Sequence, residues 1–460
     1  MIDLADLRQR PDAYKDAAAK KNVKVDIDAF LKLDEERRAL IRQVEEMRAK
    51  KNAVSSKVPT MKGDEKKKAI AEMKELDGKL DEGEEKLRTL EDRWNAQQLL
   101  LPAIPLPQTP VGKDETENVE ERKWGDPSAA VKVKNPKDHV TLGEELDILD
   151  IPRGAKVAGA RSYYLKGDGA RLEMALLQFT LDHLRKKGWT QFTPPYLASY
   201  ECFMGTGFFP GADQANIYAV GEQAGKGAPV SPDNLYLIGT SEVTVASYHM
   251  GETLKVEELP KRYAGFSPCF RREAGTYGKD TKGLYRIHQF QKIEQVVLCE
   301  ADTGKGMEMF EEIRTNAEEI LQALQLPYRV LTMCTGDLGK GKLFQQDIET
   351  WMPSRASSPL SVTGYGETHS CSYLGDFQAR RLNIKYVDGP SVGSHSASSG
   401  HAGQAPGKKK FVHTLNNTCI ATPRILIPIL EIYQNEDGSV TIPEVLRPYM
   451  GGQERINRKQ

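Results

Sequence analysis

From Leu33 onward the first hundred residues carry apolar side chains at heptad spacing, and this periodicity constrains the chain more than any other feature. Leu33, Leu40, Val44, Met47 and Val54, with Arg37 and Lys51 at intervening seam positions, place one stripe along one helix. After a break over 58–64 (VPTMKGD), Ala69, Met73, Leu76, Leu80, Gly83, Leu87, Leu90 and Trp94 step alternately by four and three. Two such helices joined by a short Pro/Gly turn predict an antiparallel coiled-coil hairpin over about 30–98, inside an N-terminal domain spanning 1–105. Each arm has roughly 30 residues and projects on the order of 45 Å. Acids and bases balance along the shaft, but Arg48, Lys50, Lys51, Lys57, Lys62, Lys66, Lys67 and Lys68 face only Asp64 and Glu65 around the tip. A phosphate-backbone contact is the expectation for these eight cations, and a solvated helical face is the plainer alternative. Gly78 and Gly83 are expected to soften the second helix by roughly 1 kcal/mol each relative to alanine.

The stretch 106–135 begins with a proline-rich apolar run and continues without a period, so it is expected to be a linker. From 136 to 460 the pattern is mixed. A helix around Ala170–Lys187 precedes strand-like segments near Gln191, Leu235, Ala264, Tyr285, Tyr328, Gln346, Asp376 and Val412, which predicts an α+β domain with an antiparallel β-sheet flanked by helices. Segments 221–234 and 388–410 are rich in Gly, Ser, Ala and Pro and are expected to be inserted mobile loops. No apolar run reaches the roughly 20 residues of a membrane helix and the polar start lacks a signal-peptide layout, so no membrane association and a cytoplasmic address are expected. The formal charge of −1 leaves any nucleic-acid partner to locally basic surface. Cys202, Cys269, Cys299, Cys334, Cys371 and Cys419 show no CxxC or CxxH spacing, so neither a disulfide framework nor a structural zinc is expected.

The segment Ala264–Cys299 is the most informative. Read as two strands around a glycine-containing basic loop, it puts Arg271 with Glu273 on one face of the first, and Arg286, His288, Phe290 and Glu294 on one face of the second. Guanidinium for phosphate, a flat ring for a base and a carboxylate for an amine suit a nucleotide. A salt-bridged exposed strand pair is the alternative, and it leaves Phe290 unexplained.

CFRREAG followed by GKDTKGLYRIHQF resembles motif 2 of the class II aminoacyl-tRNA synthetases in their seryl form. That resemblance assigns Arg271 to the α-phosphate and the amino-acid carboxylate, Glu273 to the adenine edge, Arg286 to the γ-phosphate and Phe290 to adenine stacking, with Ile287 in contact only through its backbone. Arg272 joins the same nucleotide set, and the loop 276–282 meets the acceptor end of tRNA. LYLIGTSE (235–242) resembles the serine-binding loop, with Thr240, Ser241 and Glu242 around the substrate ammonium; Ser241 departs from the usual alanine. YGETHS (365–370) resembles the segment that supplies Glu367 and Ser370 to ATP and its magnesium, with Thr368 and His369 beside them. TLNNTCIATPRILIPILEIYQ (414–434) resembles motif 3, with Arg424 on adenine and the γ-phosphate and with Asn416 and Thr418 in the serine pocket. Thr422-Pro423 reads as a helix N-cap and first turn, and Pro428 as a kink that removes the bond to the Arg424 carbonyl. Pro194-Pro195 after a helix-strand unit is similar to motif 1.

The family implies L-serine, ATP with Mg2+, and tRNA(Ser) as ligands, leaves a selenocysteine tRNA open as a second acceptor, and implies a homodimer. Arg271 and Arg424 are the expected catalytic residues, because phosphoryl chemistry here depends on positioning and charge neutralisation; His288 is more simply a hydrogen-bonded strand histidine. Only about 25 residues follow motif 3, too few for an anticodon-binding domain, so the hairpin is the expected tRNA reader. A catalytically inactive relative that only binds tRNA is the competing function. Glu294 with Thr418 opposite would be left unpaired by alanine or glycine, which rejects both. Glu294→Ala is therefore expected to lose serine activation far more than ATP binding; equal loss of both in pyrophosphate-exchange kinetics removes Glu294 from the amino-acid pocket.

Overall fold

The computed structural model describes residues 1–221, 233–274, 283–356, 363–388 and 407–458. The chain divides into two compact units, Met1–Ile104 and Pro105–Gln460. The loop 276–282 and most of the two inserted segments expected at 221–234 and 388–410 lie outside the described residues. The described end of the second segment is ordered backbone: Lys408–Phe411 pairs antiparallel with Lys385–Asp388.

In the first unit, α1 (Ile27–Lys57) and α2 (Gly63–Gln98) form the hairpin. Val58–Thr60 makes one turn of 3-10 helix and Gly63 starts α2 at φ +60°, a conformation cheap only for glycine. Leu33 and Val44 are buried against a seam that includes Ala69, Leu80, Gly83 and Trp94. Polar seam positions pair across it. Arg37 reaches Glu91 at 2.9 Å with its guanidinium 4.3 Å over the Trp94 ring, and Lys51 meets Asp77 at 2.6 Å. Arg48 meets Glu84 at 2.7 Å, so two of the eight cations assigned to the tip already hold the helices together. At the base, buried Asp34 accepts from Arg8, Arg38 and the Trp94 indole. The two α2 glycines differ. A Cβ at Gly78 meets nothing within 4 Å, whereas one at Gly83 sits 3.1 Å from Met47 Cε and 3.3 Å from Val44 Cγ2. Gly83 is therefore a close-approach site, not merely a soft spot.

The second unit is built on an eight-stranded sheet. Its strands are β1 (Val119–Trp124), β2 (Thr190–Phe192), β3 (Lys261–Phe270), β4 (Gln289–Cys299), β5 (Tyr328–Thr332), β6 (Phe344–Trp351), β7 (Tyr365–Gly375) and β8 (His413–Thr422), in spatial order β1-β5-β6-β7-β8-β4-β3-β2. Every pairing is antiparallel except β2 with β3 at one rim. The expected linker 106–135 is corrected here: β1 is the opposite rim of this sheet, and the Leu106 amide donates to the Leu343 carbonyl. VEERKW escapes a pattern search because an edge strand exposed along nearly its whole length has no buried alternation. Two other expected strands also move. Tyr285 precedes β4, and Asp376 follows β7 at the start of a helix over Phe377–Leu382.

The largest apolar cluster lies on one sheet face. Ile293 and Val297 of β4 and Leu415 of β8 pack with Phe310, Ile313, Ala317 and Ile320 of α6 (Thr303–Ala323), and with Leu172 and Leu176 of α4 (Asp168–Lys186). Gln295 and Asn417 share that face and both donate to the Ile313 carbonyl. On the opposite face Val296 and Leu298 pack into a second apolar cluster with Val245, Leu254 and Leu382, which leaves Phe290, Lys292 and Glu294 to form a site. Two further helices matter below: α3 (His139–Glu145) and α7 (Leu426–Ile432); one short turn, α5 (Glu242–Ala246), lies between β2 and β3 in the chain.

Substitution at the two α2 glycines should separate propensity from packing. Gly78→Ala is expected to stabilise the hairpin by about 1 kcal/mol, while Gly83→Leu, which must push Val44 and Met47 aside, is expected to destabilise it. Amide hydrogen exchange of α1 and α2 in the full-length protein reads both.

Candidate active site

Strand geometry alone does not bring the site residues to one face; two β-bulges do. Glu367 and Ser370 are three residues apart, an odd number that puts them on opposite faces of a regular strand. In β7, Glu367 pairs with Glu349 and His369 with Ile348, so Thr368 is the extra residue, and Ser370 pairs with Asp347. The bulge turns Glu367 and Ser370 to the same side. In β8, Thr418 pairs with Glu294 and Ile420 with Ile293, which makes Cys419 extra and puts Thr418 and Ala421 on the side of Phe290, Lys292 and Glu294.

Around these residues lies one cleft, walled by Arg271, Glu273, Arg286, Phe290, Glu367 and Arg424, with Tyr285, Ile287, Lys292, Thr368 and Thr418 contributing. Its cations are placed by other parts of the cleft wall. Arg271 Nε donates to the Gly239 carbonyl at 3.2 Å and its guanidinium sits 5.2 Å over Phe290. Arg286 Nη1 meets Glu273 Oε2 at 2.7 Å, while its buried Nε finds no acceptor among the described residues. A buried guanidinium N–H without a partner costs free energy and calls for an anionic or carbonyl acceptor from a ligand. Arg424 donates to the carbonyls of Tyr285 (3.1 Å) and Glu367 (2.8 Å) and lies 4.4 Å over the Tyr285 ring, whose contacts also include Arg355 at 4.1 Å.

Several local expectations change. Arg271 and Glu273 follow the end of β3 instead of sharing a strand face, and Glu273 adopts φ +51°. Thr422 ends β8 and does not cap α7; its hydroxyl donates to Glu173 Oε1 at 2.6 Å, and α7 begins three residues after Pro423. Pro428 falls in the first turn of α7, where a missing N–H costs little, and the Arg424 carbonyl accepts from Ile427 instead. No kink is needed. His288 is bridged by backbone: its Nδ1 meets the Arg271 carbonyl at 2.9 Å.

Not every expected residue reaches the wall. Arg272 turns to the Tyr218 ring, and buried Ser241 donates to the Gly265 carbonyl. His369 is enclosed in the interior, where burial lowers its pKa to about 3. Asn416 is buried in β8 beside Ser372 and Val296. Thr240 accepts from the Glu242 amide, and Ser370 accepts from Gln345 Nε2 at 3.1 Å.

Deeper than the cationic wall sits a carboxylate group. Buried Glu294 pairs with Lys292 at 2.5 Å and accepts from Thr418 Oγ1 at 3.4 Å. Glu242 accepts from Gln378 Nε2 at 2.7 Å, and burial together with the Glu294 charge raises its pKa to about 7. A second acidic pair, Asp347 and Glu367, spans β6 and β7; burial and the Glu367 charge push the Asp347 carboxyl well up. Lys292, Asp347 and Tyr285 were not among the residues singled out from sequence. Lys292 was within reach of the two-residue strand period, whereas Asp347 needed the β6–β7 register.

The described residues include no helix long and apolar enough to cross a membrane, and the six cysteines are free thiols, five of them buried.

Comparison with known proteins agrees with this architecture. Residues 230–433 match the tRNA synthetase class II core domain (G, H, P, S and T), and residues 1–105 match the seryl-tRNA synthetase N-terminal domain. The chain is 44% identical to the serine–tRNA ligase of Deinococcus radiodurans, covering 100% of this chain and 99% of the relative, and 41% identical to that of Carboxydothermus hydrogenoformans, covering 100% of both. Among solved structures, the seryl-tRNA synthetase from Pyrococcus horikoshii complexed with ATP superposes with a TM-score of 0.83 at 36% identity over 100% of both chains. The cytoplasmic enzyme of Naegleria fowleri in complex with AMP gives 0.78 at 31% identity, over 98% of this chain and 96% of that one. With both units of the chain matched along their length, it belongs to the class II seryl-tRNA synthetases of bacterial type.

Proposed function

We propose that this chain activates L-serine with ATP and transfers the seryl group to the 3′ end of tRNA(Ser). The observation that carries this reading is the single cleft in which Arg271, Arg286, Arg424 and Phe290 adjoin the Lys292–Glu294–Thr418 group on one sheet face. In the first step a serine carboxylate oxygen attacks the α-phosphorus, the bond to the β-phosphate oxygen breaks, and pyrophosphate leaves with seryl-adenylate formed. In the second, a ribose hydroxyl of the terminal adenosine attacks the seryl carbonyl, AMP leaves, and the hydroxyl proton passes to solvent or phosphate. The protein supplies charge and alignment, not a covalent nucleophile. Arg271 holds the α-phosphate and the substrate carboxylate; Arg286 and Arg424 take the outer phosphates; Phe290 and Arg424 hold the adenine between them.

The Asp347–Glu367 pair and Ser370 fit a magnesium ion. Like-charged carboxyls on adjacent strands favour a cation between or before them, and the donors are hard oxygens. Among the described residues no group of three His, Cys, Asp or Glu side chains converges, which suits an ion that takes its remaining ligands from phosphates and water. When bound, it neutralises phosphate charge.

Serine is held as an ammonium by Glu242 and through its hydroxyl by Glu294 and Thr418. Val157, Tyr164 and Met174, exposed on and beside the helix of the motif 1 unit, support pairing of two copies of the chain there. The hairpin binds tRNA through exposed Lys57, Lys62, Lys66 and Lys68, with Arg48 and Lys51 committed first to the seam.

Pyrophosphate exchange with each amino acid, followed by charging of total tRNA, tests the assignment: serine alone should support exchange. Its absence for every amino acid favours the inactive tRNA-binding relative. Deleting Arg38–Glu91 should abolish charging and spare exchange; retained charging refutes the hairpin's role.

The raised Glu242 carboxyl predicts a pH dependence. A carboxyl whose folded pKa is about 7 against an ordinary 4.5 adds stability that is complete below about 4.5 and lost as pH rises through about 7. For substrate the sign reverses, because only the ionised form attracts an ammonium. The KM for serine should climb as pH falls from about 8 to about 6, by no more than about tenfold per unit for one proton. Exchange kinetics at saturating ATP measure this, and Glu242→Gln should flatten the profile.

A further inference from the structure

One buried polar cluster has no task in the chemistry above. His139 opens α3, and Glu431 is the one charged residue of α7; they are 7% and 0% exposed. Glu431 Oε1 accepts from the His139 amide at 3.0 Å and lies 2.7 Å from His139 Nδ1, while Oε2 accepts from the Ser354 amide at 2.9 Å. The other ring nitrogen, Nε2, receives the backbone N–H of Leu284 at 3.1 Å. A backbone N–H can only donate, so Nε2 offers its lone pair and Nδ1 carries the proton toward Glu431. One neutral tautomer satisfies all four contacts.

What the ring holds is the chain where it returns to the cleft. Gly283 adopts φ +78°, and a Cβ there would sit 2.3 Å from His139 Nε2, so glycine lets the backbone come up to the imidazole. Leu284 is fully buried, and the next residue, Tyr285, provides both the carbonyl and the ring on which Arg424 rests. Arg286 follows with its pair to Glu273. Glu431 belongs to the helix that follows Arg424. A single imidazole thus ties the two cleft-forming segments, 284–286 and 424–431, to each other. Well-packed apolar residues of similar volume are often no worse for stability than buried polar groups, but they offer no acceptor to the Leu284 amide.

We propose that His139, oriented by Glu431, is a positioning residue for the nucleotide: it sets the Leu284–Arg286 segment against Arg424 before ATP arrives. The proposal rests on the ATP reading of the cleft. It is tested in the full-length protein with His139→Asn, which keeps a donor near Glu431 but is too short to reach Leu284, and His139→Gln, which restores the reach. In the ligand-free protein, hydrogen exchange of the peptide containing Leu284 should speed up by about tenfold in the Asn variant, as expected for losing one buried bond of ordinary net worth. In serine-dependent pyrophosphate exchange, the KM for ATP should rise by a similar factor with the KM for serine within about twofold, and the Gln variant should recover most of both losses. Unchanged exchange at Leu284, or equal rises in both KM values with a lowered melting temperature, overturns the proposal. If the Asn variant does not fold, an ATP KM in the Gln variant above wild type with slowed exchange at Leu284 also overturns it, whereas matched changes in both support it. Hydrogen exchange needs no substrate, so a wild-type protein inactive with serine would sink the ATP reading while still deciding whether the latch exists.

Discussion

Bringing like-charged carboxyls together beside one sheet is expensive unless something of opposite charge fills the space between them. This fold does it twice. Glu242 lies beside buried Glu294, whose partners Lys292 and Thr418 line the cleft; Asp347 lies beside Glu367 on the cleft wall, which Arg271, Arg286 and Arg424 share. The sheet can bear that arrangement because its opposite face is a dense apolar core against α6 and α4. A cationic amino group, a metal ion and an anionic polyphosphate are the partners that would balance these charges together.

The β-bulges at Thr368 and Cys419 are what make the crowding possible. Each inserts a residue into one strand, so groups an odd number apart come to face the same way. The cost is a local break in the ladder, borne at Thr368 by bonds to Thr350 and to the Ile348 carbonyl. Outside the sheet, short irregular segments finish the site: the turn after β3 for Arg271 and Glu273, the stretch 283–288 before β4, and the link between β8 and α7 for Arg424.

What could be read from the residues alone follows from this division. The hairpin was legible because a heptad repeats along both helices, and the α+β class because a run of strand-like segments follows one long helix. Phe290 and Glu294 were legible as a shared face because β4 is regular across them. Relations that depend on register between distant strands were not, which is why Asp347 went unnoticed beside Glu367. Bulges carry no local signature, and the strand β1, charged from Glu120 to Lys123, looked like a linker. Pro428 misled for a related reason: its effect depends on where the helix begins, and Thr422 serves Glu173 instead of the helix.

That same β1 has a bearing on how the protein behaves at high concentration. Glu120, Arg122 and Lys123 stand on an outer strand that is solvent-facing along nearly all of it, so an approaching foreign backbone would have to strip water from several ions to dock there. An eight-stranded sheet is a template for endless growth, and this rim is terminated by charge. The other rim is only three residues long, too little to hold a stray chain in register. Sheet extension between molecules is therefore disfavoured at both rims of the eight-stranded sheet.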